Sequence, residues 1–110
     1  MKILAIILLT AFAICAQDTE RPVVQITYPA NYSTVTVNTK VTITATATDN
    51  VRVLWVQFMV DGKSLCVDTE FPYSCDWTPT RKKDYNVFAK AIDPSSNSGT
   101  AQAHLVTAGR

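Results

Sequence analysis

The sequence predicts an all-β domain built as a two-sheet sandwich. Three observations carry that prediction: short runs in which apolar and polar side chains alternate, turn-forming residues spaced evenly between them, and no helical periodicity beyond the N-terminal segment. The clearest run is Val41–Thr48, where Val41, Ile43, Ala45 and Ala47 alternate with Thr42, Thr44, Thr46 and Thr48. A period of two places one set on a buried face and the other in water.

The other strands follow from the same pattern. Val23–Tyr28 precedes that run, and Val53–Val60 follows it with Val56, Phe58 and Val60 on one face. Asp61 and Gly62 supply the positive backbone angles of a tight hairpin, which returns the chain as Ser64–Asp68. Tyr73–Trp77, Asp84–Ile92 and Thr100–Val106 complete the set. Breakers separate them: Pro29–Ser33, Asp49 and Asn50, Pro72, Thr78–Lys83 and Pro94–Gly99. About seven short strands at this spacing indicate an immunoglobulin-like β-sandwich. Val41, Ile43, Val56, Phe58, Trp77, Tyr85 and Val87 are the expected core.

The chain opens MKILAIILLTAFAICAQ, with one basic residue, an apolar run and small residues before Gln17. That is the pattern of a secretory signal peptide cleaved after Ala16; the run is short of the roughly 20 residues a bilayer span requires. Ile14, where a small residue ordinarily precedes a lipidated cysteine, argues against an anchor at Cys15. The expected organisation is a signal peptide at 1–16, a linker at 17–21, the sandwich at 22–107 and a tail at 108–110. The expected location is extracellular, with no membrane span after cleavage. Removing Lys2 leaves nine basic residues (10 − 1) against nine acidic ones. A near-neutral surface gives no bulk attraction for nucleic acid.

The exported chain then carries Cys66 and Cys75, and an even count in an oxidising compartment reads as a disulfide. A zinc site requires about four ligands, and the chain has one histidine, His104. Redox pairs sit two residues apart at a helix start, unlike these. The two cysteines are too close in sequence for the cross-core bond of antibody domains, and are expected to tie neighbouring strands across a hairpin-like return.

The segments PVVQITYPAN, VTITATATDNV, VQFMVDGK, PYSCDW and YNVFAKAIDPSSN occur in this order. As a set they resemble the bacterial-type Ig-like modules attached to secreted glycosidases, peptidases and adhesins, over Pro22 to Val106. The resemblance implies an extracellular module in the company of hydrolases or adhesins. One departure is visible: the family commonly has Gly before the Asn of its last loop, where this chain has Ser96 before Asn97.

Candidate chemistry is sparse. Asp49 and Asp93 end the two Ala-x-Asp motifs and are expected at one end of the sandwich, where with Asn50 and Asn97 they would offer oxygens to Ca²⁺. The low count of charged ligands favours turn caps instead, so no metal and no cofactor are expected. A hydrolase requires a nucleophile with a base, or paired carboxylates, in a cleft; a lone mid-strand His104 and scattered acids do not supply one, so the expected protein is no enzyme. Asn31, Tyr32 and Ser33 form a glycosylation sequon, relevant only in a eukaryotic source. Strand parity directs Trp55, Gln57 and Met59 outward, with Asn86, Phe88, Lys90 and Ile92, and with Gln102 and His104 on the last strand while Ala101, Ala103 and Leu105 turn inward. Trp55, Met59, Phe88, His104 and Gln102 are therefore the candidate contact face, for a protein or polysaccharide partner. A purely structural spacer, or an accessory module related to those of secreted hydrolases, is the alternative.

Overall fold

The computed structural model describes residues 18–109. The expected signal segment and Cys15 lie outside the described residues. Among the described residues nine strands form: β1 (Val23–Tyr28), β2 (Ser33–Thr36), β3 (Val41–Thr48), β4 (Trp55–Val60), β5 (Lys63–Asp68), β6 (Tyr73–Trp77), β7 (Lys83–Ile92), β8 (Ser98–Thr100) and β9 (His104–Gly109). One sheet has the order β1-β3-β6, and the other β2-β9-β7-β4-β5 with β8 paired to β7. Among the described residues no helix is long and apolar enough to cross a membrane.

The alternation read from sequence is the alternation of burial. Val41, Ile43 and Ala45 point into the sandwich from β3, Val56 and Phe58 from β4, and Tyr85, Val87, Ala89 and Ala91 from β7. Each buried Phe or Val side chain contributes about 1.5–3 kcal/mol of transfer free energy. Trp77 and Tyr85 meet edge to face between the sheets with centroids 5.0 Å apart. The Tyr85 hydroxyl also donates to the Arg81 carbonyl (3.1 Å) and accepts from the Arg81 N–H (3.3 Å), forming a tyrosine corner at the start of β7.

The strand set differs from expectation in two places. Ser33–Thr36 is a strand, paired parallel to β9 from Ser33↔Val106 to Thr36↔Gly109. It is four residues long with a single apolar side chain, Val35, so local pattern carries almost no signal. The expected final strand is two, because residues 101–103 leave the ladder between β8 and β9. The interruption shifts parity by one: Val87 pairs with His104 and Tyr85 with Val106, so His104, Val106 and Ala108 share the inner side and Leu105 lies with Asn86 on the outer. Ala101 is buried as expected, whereas Ala103 is exposed.

The disulfide joins Cys66 to Cys75, with Cα atoms 6.3 Å apart, inside the range such a bond requires. It does not tie hydrogen-bonded neighbours. β5 is the edge of the larger sheet and β6 the edge of the smaller, so the bond staples the two sheets along one side. Closing so short a loop stabilises by roughly 2–3 kcal/mol in the chain-entropy model. Asp68 reinforces the crossing by accepting the N–H groups of Glu70 (3.1 Å) and Ser74 (2.9 Å).

At the β4–β5 hairpin Asp61 (φ 52°) and Gly62 (φ 80°) take the two left-handed positions expected of the turn. The Asp61 carboxylate accepts the Asn86 N–H (2.8 Å) and the Lys83 ammonium (2.5 Å). Partial burial raises its pKa, but these partners outweigh that and hold it below the ordinary 3.8. A carboxyl whose folded pKa is depressed stabilises the fold above its unfolded pKa and loses that contribution as pH falls through the folded one. Stability should therefore drop on acidification below pH 3.8, and Asp61→Asn should make that fall shallower in a pH series of denaturant titrations.

Ser96 occupies a left-handed position (φ 69°) in the β7–β8 turn, which explains why glycine suits that place. Ser96→Gly should stabilise the domain by roughly 0.5–1 kcal/mol, the side-chain strain relieved less the extra chain entropy of glycine. Thermal unfolding would register a rise of a few degrees, about 4–8 °C per kcal/mol at this size.

Candidate functional site

Two surfaces result from this arrangement. The first is the outer face of the six-stranded sheet. Cross-strand register puts Trp55 opposite Ile92, Gln57 opposite Lys90, and Met59 opposite Phe88. Because β4 and β7 bury the alternate residues, all six side chains lie on the outer side, each half-buried among its neighbours. On β5, Val67 pairs with Gln57 and extends the same row, 51% exposed. Thr100 of β8 pairs with Lys90 at the other end of the row. The face is thus a polar row of Gln57, Lys90 and Thr100 between an apolar pair, Trp55 and Ile92, and a second, Met59 and Phe88. Gln57 is oriented by donating to the Ser64 hydroxyl at 3.1 Å.

Sequence reasoning placed five residues together, and the structure brings together three: Trp55, Met59 and Phe88. His104 turns inward with the parity shift and bonds through Nδ1 to the Pro29 carbonyl oxygen at 2.9 Å. Gln102 is exposed in the segment between β8 and β9. Both line a cleft of about 410 Å³ along β1 with Val23–Ile26, a different surface. Ile92, outward by strand parity as expected, joins the face beside Trp55, and Val67 was missed because the phase of β5 against β4 is set by their pairing. Asn31 sits in the β1–β2 turn and its carboxamide oxygen accepts the Leu105 N–H at 2.8 Å, so the sequon asparagine also anchors the start of β9.

The second surface is an aspartate cluster at the end of the sandwich where β3 and β7 finish. Asp93 is fully buried. Its Oδ1 accepts the N–H groups of Ser95 and Asn97, both at 2.9 Å, and Oδ2 accepts the Asn97 carboxamide at 3.0 Å. Asp49 caps its own turn by accepting the Val51 N–H at 3.1 Å. Both are the turn caps their motifs predicted, and the two loops do meet. Asn97 joins the cluster through its bonds to Asp93 and Asp18, whereas Asn50 is exposed.

The member missed from sequence is Asp18, in the stretch expected to be a linker. Its backbone carbonyl accepts the Asn97 carboxamide at 2.9 Å, which ties the segment before β1 to the β7–β8 turn. One carboxylate oxygen from each of Asp18, Asp49 and Asp93 lies within 4.8 Å of the other two. Asp18 Oδ2 and Asp49 Oδ1 are shut off from solvent and accept no hydrogen bond. Burial opposes the charge on Asp93, but the Asn97 carboxamide and the N–H groups of Asn97 and Ser95 outweigh it and hold its pKa below the ordinary value. A bare, buried carboxylate oxygen is costly, and the three oxygens at this spacing are three of the roughly six to eight that a hard divalent cation such as Ca²⁺ requires.

Residues 22–108 match the bacterial Ig domain family. Among solved structures, the chain is similar to the fibronectin(III)-like modules of Clostridium thermocellum CbhA, with a TM-score of 0.74, 22% identity, and coverage of 77% of this chain and 93% of that one. It is also similar to the PKD domain of an M14-like peptidase from Thermoplasmatales archaeon SCGC AB-540-F20, with a TM-score of 0.55, 21% identity, and coverage of 86% and 100%. No curated protein matches the chain.

The aspartate cluster is tested by calcium itself. Millimolar Ca²⁺ should raise the melting temperature saturably, because a ligand bound only by the folded state stabilises it. Asp18→Asn should remove the response while leaving the caps at Asp49 and Asp93 in place. A melting temperature indifferent to Ca²⁺ would leave the three carboxylates as turn caps alone.

Proposed function

The chain belongs to the bacterial Ig domain family, and from that premise we propose that it is an extracellular, non-catalytic module contacting a protein or polysaccharide through the outer face of its six-stranded sheet. The observation that carries this reading is the register of β4 and β7, which gathers Trp55, Met59, Phe88 and Ile92 on the solvent side. The core is complete without them, from Ile43 and Phe58 to Trp77 and Val106. Apolar groups gathered on one face of a soluble domain mark contact surfaces. The intervening Gln57, Lys90 and Thr100 supply donors and acceptors in a straight row, which suits an extended polymer or a partner's strand edge.

Catalysis finds little support in the side chains. The one imidazole, His104, is engaged with a backbone carbonyl. The clustered carboxylates are committed to backbone N–H groups on at least one oxygen each.

A second reading, a structural spacer, is favoured by the clamp at Asp18 and Asn97. The two readings separate on the outer face. In glycan-array and cell-surface binding assays, Trp55→Ala and Phe88→Ala should weaken binding about tenfold or more while costing under roughly 1.5 kcal/mol of stability, whereas Trp77→Ala should cost about 3–5 kcal/mol. A Trp55→Ala variant destabilised by roughly 3 kcal/mol or more would return that side chain to the core and end the contact reading.

A further inference from the structure

The pole of the sandwich remote from the aspartate cluster carries the opposite charge. β7 runs ten residues from Lys83 to Ile92, about 30 Å at strand rise, with Asp93 at one end and a basic cleft at the other. This cleft, about 380 Å³, opens between the β4–β5 hairpin and the loop before β7. Its floor is Val60 and Tyr85, and its walls carry Lys63, Arg81 and Lys83 against a single carboxylate, Asp61.

We propose that this cleft binds the oxyanion of an acidic polysaccharide, a uronate carboxylate or a sulfate ester, through Arg81 and Lys63. The inference rests on the module's reading as a polysaccharide-contacting one, and adds to it the charge class of the polymer and a second point of attachment.

The cleft's charges are already sorted. Both oxygens of Asp61 are occupied, one by the Asn86 N–H and one by Lys83, so the acid is neutralised within the site. The Lys83 ammonium is further held 4.3 Å from the centroid of the Tyr85 ring. Lys63 and Arg81 are exposed and form no salt bridge among the described residues. The result is an uncompensated pair of cations beside an apolar floor.

Arg81 is also set on a rigid base, because the Tyr85 hydroxyl bonds both its N–H and its carbonyl. A positioned guanidinium matches a carboxylate or sulfate with two parallel hydrogen bonds, and a lysine ammonium adds a point charge. The volume falls within the range of small-ligand sites and admits a sugar residue rather than a folded partner. Nucleic acid is a poor fit, since outside this cleft the acidic residues, eight (9 − 1), outnumber the basic ones, seven (10 − 3), and a phosphate backbone extending beyond it would meet net negative charge.

The test is binding of the secreted protein to immobilised polygalacturonate, its fully methyl-esterified form, and dextran sulfate, at low and high salt. Binding to one or both anionic polymers, at least tenfold weaker to the neutral ester and weakened by salt, is the expected result. It should fall at least tenfold in the Arg81→Ala/Lys63→Ala double variant, and Arg81→Lys should recover only part of it. The variant should fold, since the Tyr85 hydroxyl holds the Arg81 backbone and not its side chain; an unchanged melting temperature checks this. Preference between polygalacturonate and dextran sulfate distinguishes carboxylate from sulfate. Binding lost in Trp55→Ala and Phe88→Ala but indifferent to Arg81 and Lys63 would overturn the cleft and leave the outer face standing. Absence of binding to both anionic polymers overturns the cleft as well, while binding lost only in the double variant supports the cleft and removes the outer face.

Discussion

Asp93 has no solvent exposure, and a charged side chain so placed forces the chain around it to supply donors. The donors come from Ser95 and Asn97, which bend the chain immediately after β7. That bend returns β8 onto β7 with Ile92 opposite Ser98 and Lys90 opposite Thr100. Asn97, held by Asp93, in turn reaches the Asp18 carbonyl and fastens the segment before β1. Gly99 lies so close to that segment that a Cβ there would sit 1.9 Å from the Pro22 carbonyl oxygen. One satisfied carboxylate thus orders the β7–β8 turn, the entry of the chain and the approach of the two sheets at that pole. The ladder lapses soon afterwards at residues 101–103, and the register of β9 follows from where it resumes.

The opposite pole and the free side of the sandwich are secured by different means. Tyr85 closes the core end by packing against Trp77 and bonding the Arg81 backbone, which leaves the loop's cations on a fixed mount. The Cys66–Cys75 bond joins the outermost strands of the two sheets, each of which has a hydrogen-bonded neighbour on its inner side alone. Each device lies where pairing between strands runs out. An acidic pole and a basic pole remain, on a domain whose total charge is close to zero.

Aromatic residues divide between two roles by parity alone. Trp77 and Tyr85 are buried on β6 and β7, while Trp55 and Phe88 stand outside on β4 and on β7. Residue type does not separate the pairs, since each contains a tryptophan and a second aromatic ring. What separates them is whether a side chain falls in phase with the buried alternation of its own strand. On β7 the two phases are three residues apart, Tyr85 and Phe88, and the same strand contributes to core and contact face.

The sandwich, its hairpin at Asp61–Gly62, the core of Ile43, Phe58, Trp77 and Val87, the pairing of the cysteines and the meeting of Asp49 with Asp93 were all legible in the sequence. Each is governed by local pattern or by a small count of chemically distinctive residues. Three features were not. β2 is stabilised by a parallel partner more than 70 residues away, and a four-residue polar strand has no periodicity of its own to announce it. Asp18 precedes the first strand in a stretch without pattern, and only folding carries it to Asn97. The side of the sheet occupied by His104 depends on three residues that leave the ladder, and a register shift of one inverts every side chain that follows. Alternation within a strand is a local property of the chain, whereas the phase between strands, the sheet to which an edge belongs and the company a carboxylate keeps are set by contacts distant in sequence. The amino-acid sequence therefore determined the kind of domain this is, and the tertiary structure decided which of its residues face one another and which face water.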